Sequence, residues 1–280
     1  MVRKPAVAGF FYERSPSVLR QQIERCFKHN LGPGSLPEPS APNPRNILGL
    51  VSPHAGYMFS GPVAAHGFYR LSNQAKPQVV VILGPNHHGV GAPISLSKEE
   101  WQTPLGSLKI DTAVAERIIS AIPDAQWDES AHLREHSVEV QVPFLQYIYG
   151  SDFRIVPIVL GRQSYSANQA LGKAIASALD PERGLVIASS DLTHYETQSS
   201  ASRKDKMVLD AVAKMDPERL GETVDAHNIT MCGPGPIMAM LIACALMGAK
   251  NSTLLSYATS GDITGDYSRV VGYASIEVTF

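Results

Sequence analysis

Nine histidines are spread along this 280-residue chain, and three of them follow closely on short apolar runs. The run 47–51 leads through Ser52 and Pro53 to His54. The run 79–83 leads through Gly84, Pro85 and Asn86 to His87 and His88. The run 185–188 leads through Ser189, Ser190 and Asp191 to His194. A single loop histidine is ordinarily solvated or bonded to a backbone group. Three behind runs of one kind suggest imidazoles gathered at one edge, where they can ligate a metal or move protons. Pro53 and Pro85 stiffen their turns. A histidine on a rigid turn is better preorganised as ligand or base than one on a loose loop. Asp191, three residues before His194, is placed to orient that imidazole, as carboxylates behind metal-site histidines commonly do.

Two further segments carry reactive groups. Cys232 lies in His227-Asn-Ile-Thr-Met-Cys-Gly-Pro-Gly-Pro236, just before an apolar helical pattern whose first residue is expected to be Pro236. A thiol near a helix N-terminus is expected to have a lowered pKa and to ligate or attack as thiolate. The plain alternative, a buried inert cysteine, fits Cys26 and Cys244 better. In His132-Leu-Arg-Glu-His136-Ser-Val-Glu139, His136 and Glu139 stand three apart and share a helical face. They suit substrate contact or support from behind the ligands, and His136-Ser137 equally suits a helix start. There is no zinc-protease spacing, no phosphate loop and no Gly-x-Ser-x-Gly elbow.

The elements that must position these groups are legible in outline. The runs 47–51, 79–83, 153–160 and 185–188 are short and apolar, and turn residues follow them, as in strands covered on both faces. Helical patterns lie at 62–71, 112–121, 137–149, 167–179 and 204–215. An earlier one puts Val18, Leu19, Ile23, Cys26 and Phe27 on one stripe. The tail, 254–257 and 270–278, reads as two more strands. This alternation predicts one α/β domain over 1–280, with a mostly parallel central sheet and helices on both faces. The prolines of 32–46 predict an exposed, poorly ordered loop. In such sheets ligands bind beyond the carboxyl ends of the strands, which is where the histidines fall.

Bulk properties exclude other classes. Net charge is −2, and no basic run exceeds Arg203-Lys204, so nucleic acid is not an expected partner. Three irregularly spaced cysteines form no disulfide framework, which points to a reducing, cytoplasmic setting. Pro5 and Glu13 spoil a signal peptide. The longest apolar run, 236–249, is too short to span a bilayer, so no membrane association is expected.

Six segments then form a pattern: Ser52-Pro-His-Ala-Gly-Tyr57, Leu83-Gly-Pro-Asn-His-His88, Thr103-Pro-Leu-Gly106, Glu135-His-Ser-Val-Glu139, Ser189-Ser-Asp-Leu-Thr-His194 and His227-Asn-Ile-Thr-Met-Cys-Gly233. In this order, over nearly the whole chain, they resemble the Memo family, whose bacterial and archaeal members are called AmmeMemoRadiSam system protein B. The resemblance implies a fold similar to class III extradiol dioxygenases, which hold non-haem Fe(II) with two histidines and a glutamate and use a further histidine as acid/base. On this chain it implies His54 and His87 as metal ligands and His194 as the acid/base. Cys232 falls where the dioxygenases have glutamate. A two-His, one-carboxylate set suits Fe(II) and oxygen, whereas a set with thiolate is softer and also suits Cu(I) or Zn. The implied cofactor is therefore a metal ion, Fe(II) first, and the implied partner is a radical SAM protein.

Three functional readings follow. One is a metal-dependent, dioxygenase-like oxidoreductase with metal on His54, His87 and Cys232, and with His194 and Asp191 handling protons. Another is a non-catalytic metal-handling or peptide- or protein-binding module. The last is a hydrolase with Cys232 as nucleophile and His194 as base. In each, His88, His136, Glu139 and His227 are expected in the substrate pocket or behind the ligands.

Overall fold

Side chains on successive strand residues point to opposite faces, so a strand that is apolar throughout needs a cover on both sides. A computed structural model, which describes residues 1–38 and 43–280, shows those covers. In chain order the strands are β1 (Val2–Arg3), β2 (Ile47–Ser52), β3 (Val79–Pro85), β4 (Ile94–Leu96), β5 (Glu100–Thr103), β6 (Gly106–Ile110), β7 (Ala125–Trp127), β8 (Arg154–Leu160), β9 (Gly184–Ser189), β10 (His194–Glu196), β11 (Asn251–Thr259) and β12 (Val270–Thr279). The helices are α1 (Pro16–Lys28), α2 (Gly61–Ser72), α3 (Thr112–Ala121), α4 (Val142–Tyr149), α5 (Tyr165–Ala178), α6 (Gln198–Ala213), α7 (Pro217–Ala226), α8 (Pro234–Leu246) and α9 (Ser260–Thr264).

The centre of the sheet is a parallel array in the order β6-β8-β3-β9-β2. β12 adds antiparallel to β2, and β11 and β10 add antiparallel to β12. Along the central strands the side chains part between two cores. Leu48, Val81, Leu83, Val186 and Ala188 face one core, shared with α3, α5 and α8. Ile47, Leu50, Val80, Ile82, Leu185 and Ile187 face the other, shared with α1, α2 and α4. The expected α/β sheet with helices on both faces is thus present. Gly49 lets α8 lie close on β2, because a Cβ there would come within 2.4 Å of Met240 Sδ and 2.8 Å of Cys244 Sγ. Cys244 is accordingly a packing residue.

Some elements depart from the sequence pattern. The expected helix over 137–149 is a 3₁₀ turn (Glu139–Gln141) running into α4. Pro143 sits in the first turn of α4, where its missing N–H costs nothing but bars a continuous helix from upstream. The short strands β1, β4, β5, β6, β7 and β10, and the helix α7, had no separate expectation. Of the loop 32–46, residues 32–38 and 43–46 are exposed or half-buried, and 39–42 lie outside the described residues. Among the described residues no helix is long and apolar enough to cross a membrane.

One segment, 135–141, joins the fold to its carboxyl edge. Glu139 is fully buried and accepts from Arg3 Nη1 (2.7 Å), Ala6 N (2.8 Å), Val7 N (3.1 Å) and Tyr12 Oη (2.6 Å). Arg3 also donates from Nε to the His132 carbonyl and from Nη2 to the Glu135 carbonyl, and its guanidinium lies 4.0 Å from the Trp101 ring centre. Glu139, expected in the substrate pocket or behind the ligands, is the anchor that ties the N-terminal segment across this loop. The side chains of Arg3 and Glu139 are only 2% and 1% exposed. Removing one partner of a buried pair leaves the other charge uncompensated, at a cost of roughly 3–5 kcal/mol. Arg3→Ala should therefore lower the urea unfolding free energy by about that amount. A loss below about 1 kcal/mol, the range of surface pairs, would show that Glu139 does not depend on Arg3.

Candidate metal centre

The register of the central strands brings their ends level. Ser52 on β2 pairs with Ser189 on β9, and Leu83 on β3 pairs with Ala188 on β9. The chain then leaves the sheet toward His54, His87 and Asp191 from three neighbouring strands at one rim. His136 arrives from the 135–141 segment. The donor atoms of His54, His87 and His136 lie within 4.8 Å of one another. The His87 and His136 rings stack with centroids 4.5 Å apart, and His54 meets both edge-on at 5.2 and 5.4 Å. His54 is buried, whereas the His87 side chain is 30% exposed, so the cluster meets solvent on the His87 side.

Glu135 organises two of the three. Its Oε2 accepts from His87 N (2.6 Å), and its Oε1 accepts from His87 Nδ1 (2.9 Å), His136 N (2.9 Å) and Ser137 N (2.9 Å). Burial by itself would raise this carboxyl. The hydrogen bonds and charge of His87, with the N–H of Ser137, outweigh burial and hold it well below the usual range. For His136 burial dominates and lowers the imidazole to about 4, although Glu135 pulls the other way. His54 is likewise lowered, by burial first and then by its imidazole neighbours. Burial thus favours the neutral form of His54 and His136, beside one ionised carboxylate.

Cys232 reaches the same place. Its Sγ lies 3.2 Å from His54 Nε2 and accepts from Asp191 N at 3.2 Å. Gln163, just past β8, donates to the Cys232 carbonyl and accepts from Gly235 N, fixing the turn before α8. The expected lowering of this thiol is not found: burial, then the Asp191 charge, raises it. Its imidazole neighbour is His54, so the pairing of Cys232 with His194 that a hydrolase needs is absent from its hydrogen bonds.

His194 opens β10, and its Nδ1 contacts the carbonyls of Leu192 (2.7 Å) and Thr230 (2.9 Å). Carbonyls only accept, so Nδ1 carries the proton and Nε2 is left with its lone pair. The next residue, Tyr195, takes a left-handed φ of 60°, a strained geometry common beside functional groups. Asp191 does not orient His194 as expected. Its Oδ1 accepts from His54 N at 2.8 Å, so the carboxylate shapes the His54 turn instead, and burial raises it above the ordinary carboxylate range. His88 turns outward and donates from Nε2 to the Arg134 carbonyl, clipping two loops together. His227 is exposed at the C-terminal end of α7 and joins no cluster. Sequence reasoning missed Glu135, Ser189, Gln141 and Thr230 as supports. The sole available signal was that Glu135, Ser189 and Thr230 stand inside the recognised segments.

Glu135→Gln tests the organising role. Both carboxylate oxygens accept, so an amide NH2 must face at least one N–H whichever way it turns. Leaving a buried donor unpaired costs about 1–3 kcal/mol, so a lower melting temperature and faster amide exchange at His87 or Ser137 are expected. Unchanged exchange at both amides would overturn this assignment.

Comparison with known proteins agrees with the residue patterns. The family model described as Memo-like protein matches residues 3–277. A MEMO1 family protein of Methanopyrus kandleri is 47% identical over 280 residues, covering 99% of this chain and 98% of the relative. Those of Methanothermobacter thermautotrophicus and Pyrobaculum aerophilum are 48% and 49% identical, each covered 98% or more. An uncharacterized protein of Escherichia coli K12 shares the fold, with a TM-score of 0.58 at 14% identity, covering 82% of this chain and 99% of that one. Matched from end to end by the family model and by relatives of nearly half its residues, the chain belongs to the Memo-like protein family.

Proposed function

We propose that the chain holds one transition-metal ion on His54, His87 and a third donor of the same pocket, and uses it for redox chemistry on a small ligand entering past His87. The observation that carries this reading is the convergence of His54, His87 and His136 within 4.8 Å. The donor chemistry fits. An ionised Glu135 can only accept, so His87 Nδ1 carries the proton and its Nε2 is free to ligate. His136 stands near both other imidazoles, while Cys232 Sγ lies beside His54 Nε2, so either can complete the set. Imidazole and thiolate donors favour Fe(II), Cu(I) or Zn over Mg or Ca, and Fe(II) is the expected ion. Bound there, the ion would supply Lewis-acid and one-electron chemistry. His194, with Nδ1 held by two carbonyls, would offer Nε2 for proton transfer. Three free cysteines favour a reducing, cytoplasmic setting.

A second reading is favoured by exposed Phe10, Met58, Phe59, Val90 and Leu133, on the segments that carry the cluster histidines or, through Phe11, touch His136. Such side chains suit a module that presents the metal site to a peptide or to a protein such as a radical SAM partner.

Titration of reduced, anaerobic protein with Fe(II), Cu(I) and Zn decides the first point. One equivalent should bind, and His54→Ala and His87→Ala should each weaken binding by at least tenfold, the scale of even indirect losses at metal sites. The larger loss between His136→Ala and Cys232→Ser identifies the third ligand. Oxygen uptake with catechol-type substrates then separates the enzyme from the binding module. Absence of binding by the unmodified protein would sink the metal reading.

A further inference from the structure

The geometry points to Ser189 and Gln141 as positioning residues that lock His54 in its Nδ1–H tautomer and so aim its Nε2 lone pair into the cluster. The consequence for metal affinity rests on the metal reading above, but the tautomer itself does not.

The argument is a proton count. A serine hydroxyl has one hydrogen to give and two lone pairs that accept. Ser189 Oγ lies 2.6 Å from the Ser137 carbonyl, which can only accept, so the hydroxyl hydrogen goes there. Gln141 Nε2 donates to the same Oγ at 2.8 Å. The Gln141 amide cannot be turned the other way round, because the same NH2 donates to the Pro53 carbonyl at 3.0 Å. A flipped amide would set oxygen against oxygen. The remaining contact of Ser189 Oγ is His54 Nδ1 at 2.8 Å. With its hydrogen already given away, the hydroxyl can only accept, so the imidazole must donate from Nδ1.

Burial makes the count binding. Ser189, His54 and Gln141 are 0%, 1% and 1% exposed, so bulk water does not offer a different set of partners. Which imidazole nitrogen ligates is set by the hydrogen bond that the other makes. Here that bond is supplied by a hydroxyl, a group that could have either given or accepted, and the Ser137 carbonyl and Gln141 amide remove the choice. Nε2 is left unprotonated, 3.2 Å from Cys232 Sγ and among the imidazoles of the cluster. The same contacts tie the end of β2, through Pro53, to β9 and to the 135–141 segment. A change at Ser189 therefore acts on the ligand and not on the fold's periphery.

The test is long-range 1H–15N NMR on the uniformly labelled, metal-free, reduced full chain, with the His54 signals assigned by their absence in His54→Asn. The unmodified protein should show a protonated Nδ1 and a lone-pair Nε2 at His54. Ser189→Ala should shift His54 toward the Nε2–H form and weaken Zn binding by about tenfold or more. Ser189→Thr, which keeps the hydroxyl, should restore both, and Gln141→Met, which leaves the Ser137 carbonyl as the acceptor of the hydroxyl hydrogen, should move the tautomer less than Ser189→Ala. Nε2–H in the unmodified protein would overturn the assignment, even if no variant folds. So would a tautomer and affinity unchanged in Ser189→Ala. The expected tautomers without any Zn binding would uphold the positioning role and defeat the metal reading.

Discussion

A buried carboxylate with four donors around it holds this molecule's site together. Glu139 receives Arg3, two backbone N–H groups and the Tyr12 hydroxyl. That tie pulls the N-terminal segment over the loop 132–139 and fixes the segment 135–141 against the sheet. From that segment Glu135 reaches His87, the Ser137 hydroxyl reaches the Pro85 carbonyl, and Gln141 reaches Pro53 and Ser189. The ends of β2, β3 and β9 are thereby referred to one short stretch of chain. A buried ion pair is weak evidence for stability in itself, because desolvation offsets much of its attraction. Its value here is geometric: it defines where the supports of the histidines stand.

The electrostatics of the rim follow from that packing. Imidazoles crowded together would repel if protonated, and burial already disfavours the charged form. His54 and His136 are both lowered for these reasons. Glu135 stays ionised because it is surrounded by donors, and it sits on the protein side of His87, not among the free imidazole nitrogens. The result is a pocket of lone pairs backed by fixed hydrogen bonds. Second contacts of this kind decide ligand orientation and basicity as much as the ligands do.

The scaffold and the site are separable. The E. coli protein shares the architecture at 14% identity, a likeness that speaks to the fold alone. Function lives in the groups placed on a fold. What this chain places there is a set of imidazoles, one buried thiol and a histidine clamped by two carbonyls at the mouth of β10.

The apolar runs and their spacing determined the central strands, the helices that cover them and the edge at which chemistry collects, because strand and helix patterns are local properties of a chain with two buried faces. They also brought His54, His87, His194 and Cys232 under suspicion, since each follows a run or precedes a helix. Tertiary structure decided the rest. His136 joins the cluster because the segment that carries it is anchored by Glu139 and packed against the strand ends, a placement that no local pattern gives. Glu139 points to Arg3, 136 residues away in sequence, an attraction invisible to any local pattern. Asp191 serves the His54 turn and not His194, and His227 caps α7 in solvent, because hydrogen-bond partners are assigned by distance in space. The direction in which the buried Ser189 hydroxyl bonds, and hence the nitrogen His54 presents, depends on three groups from two other segments meeting at its oxygen.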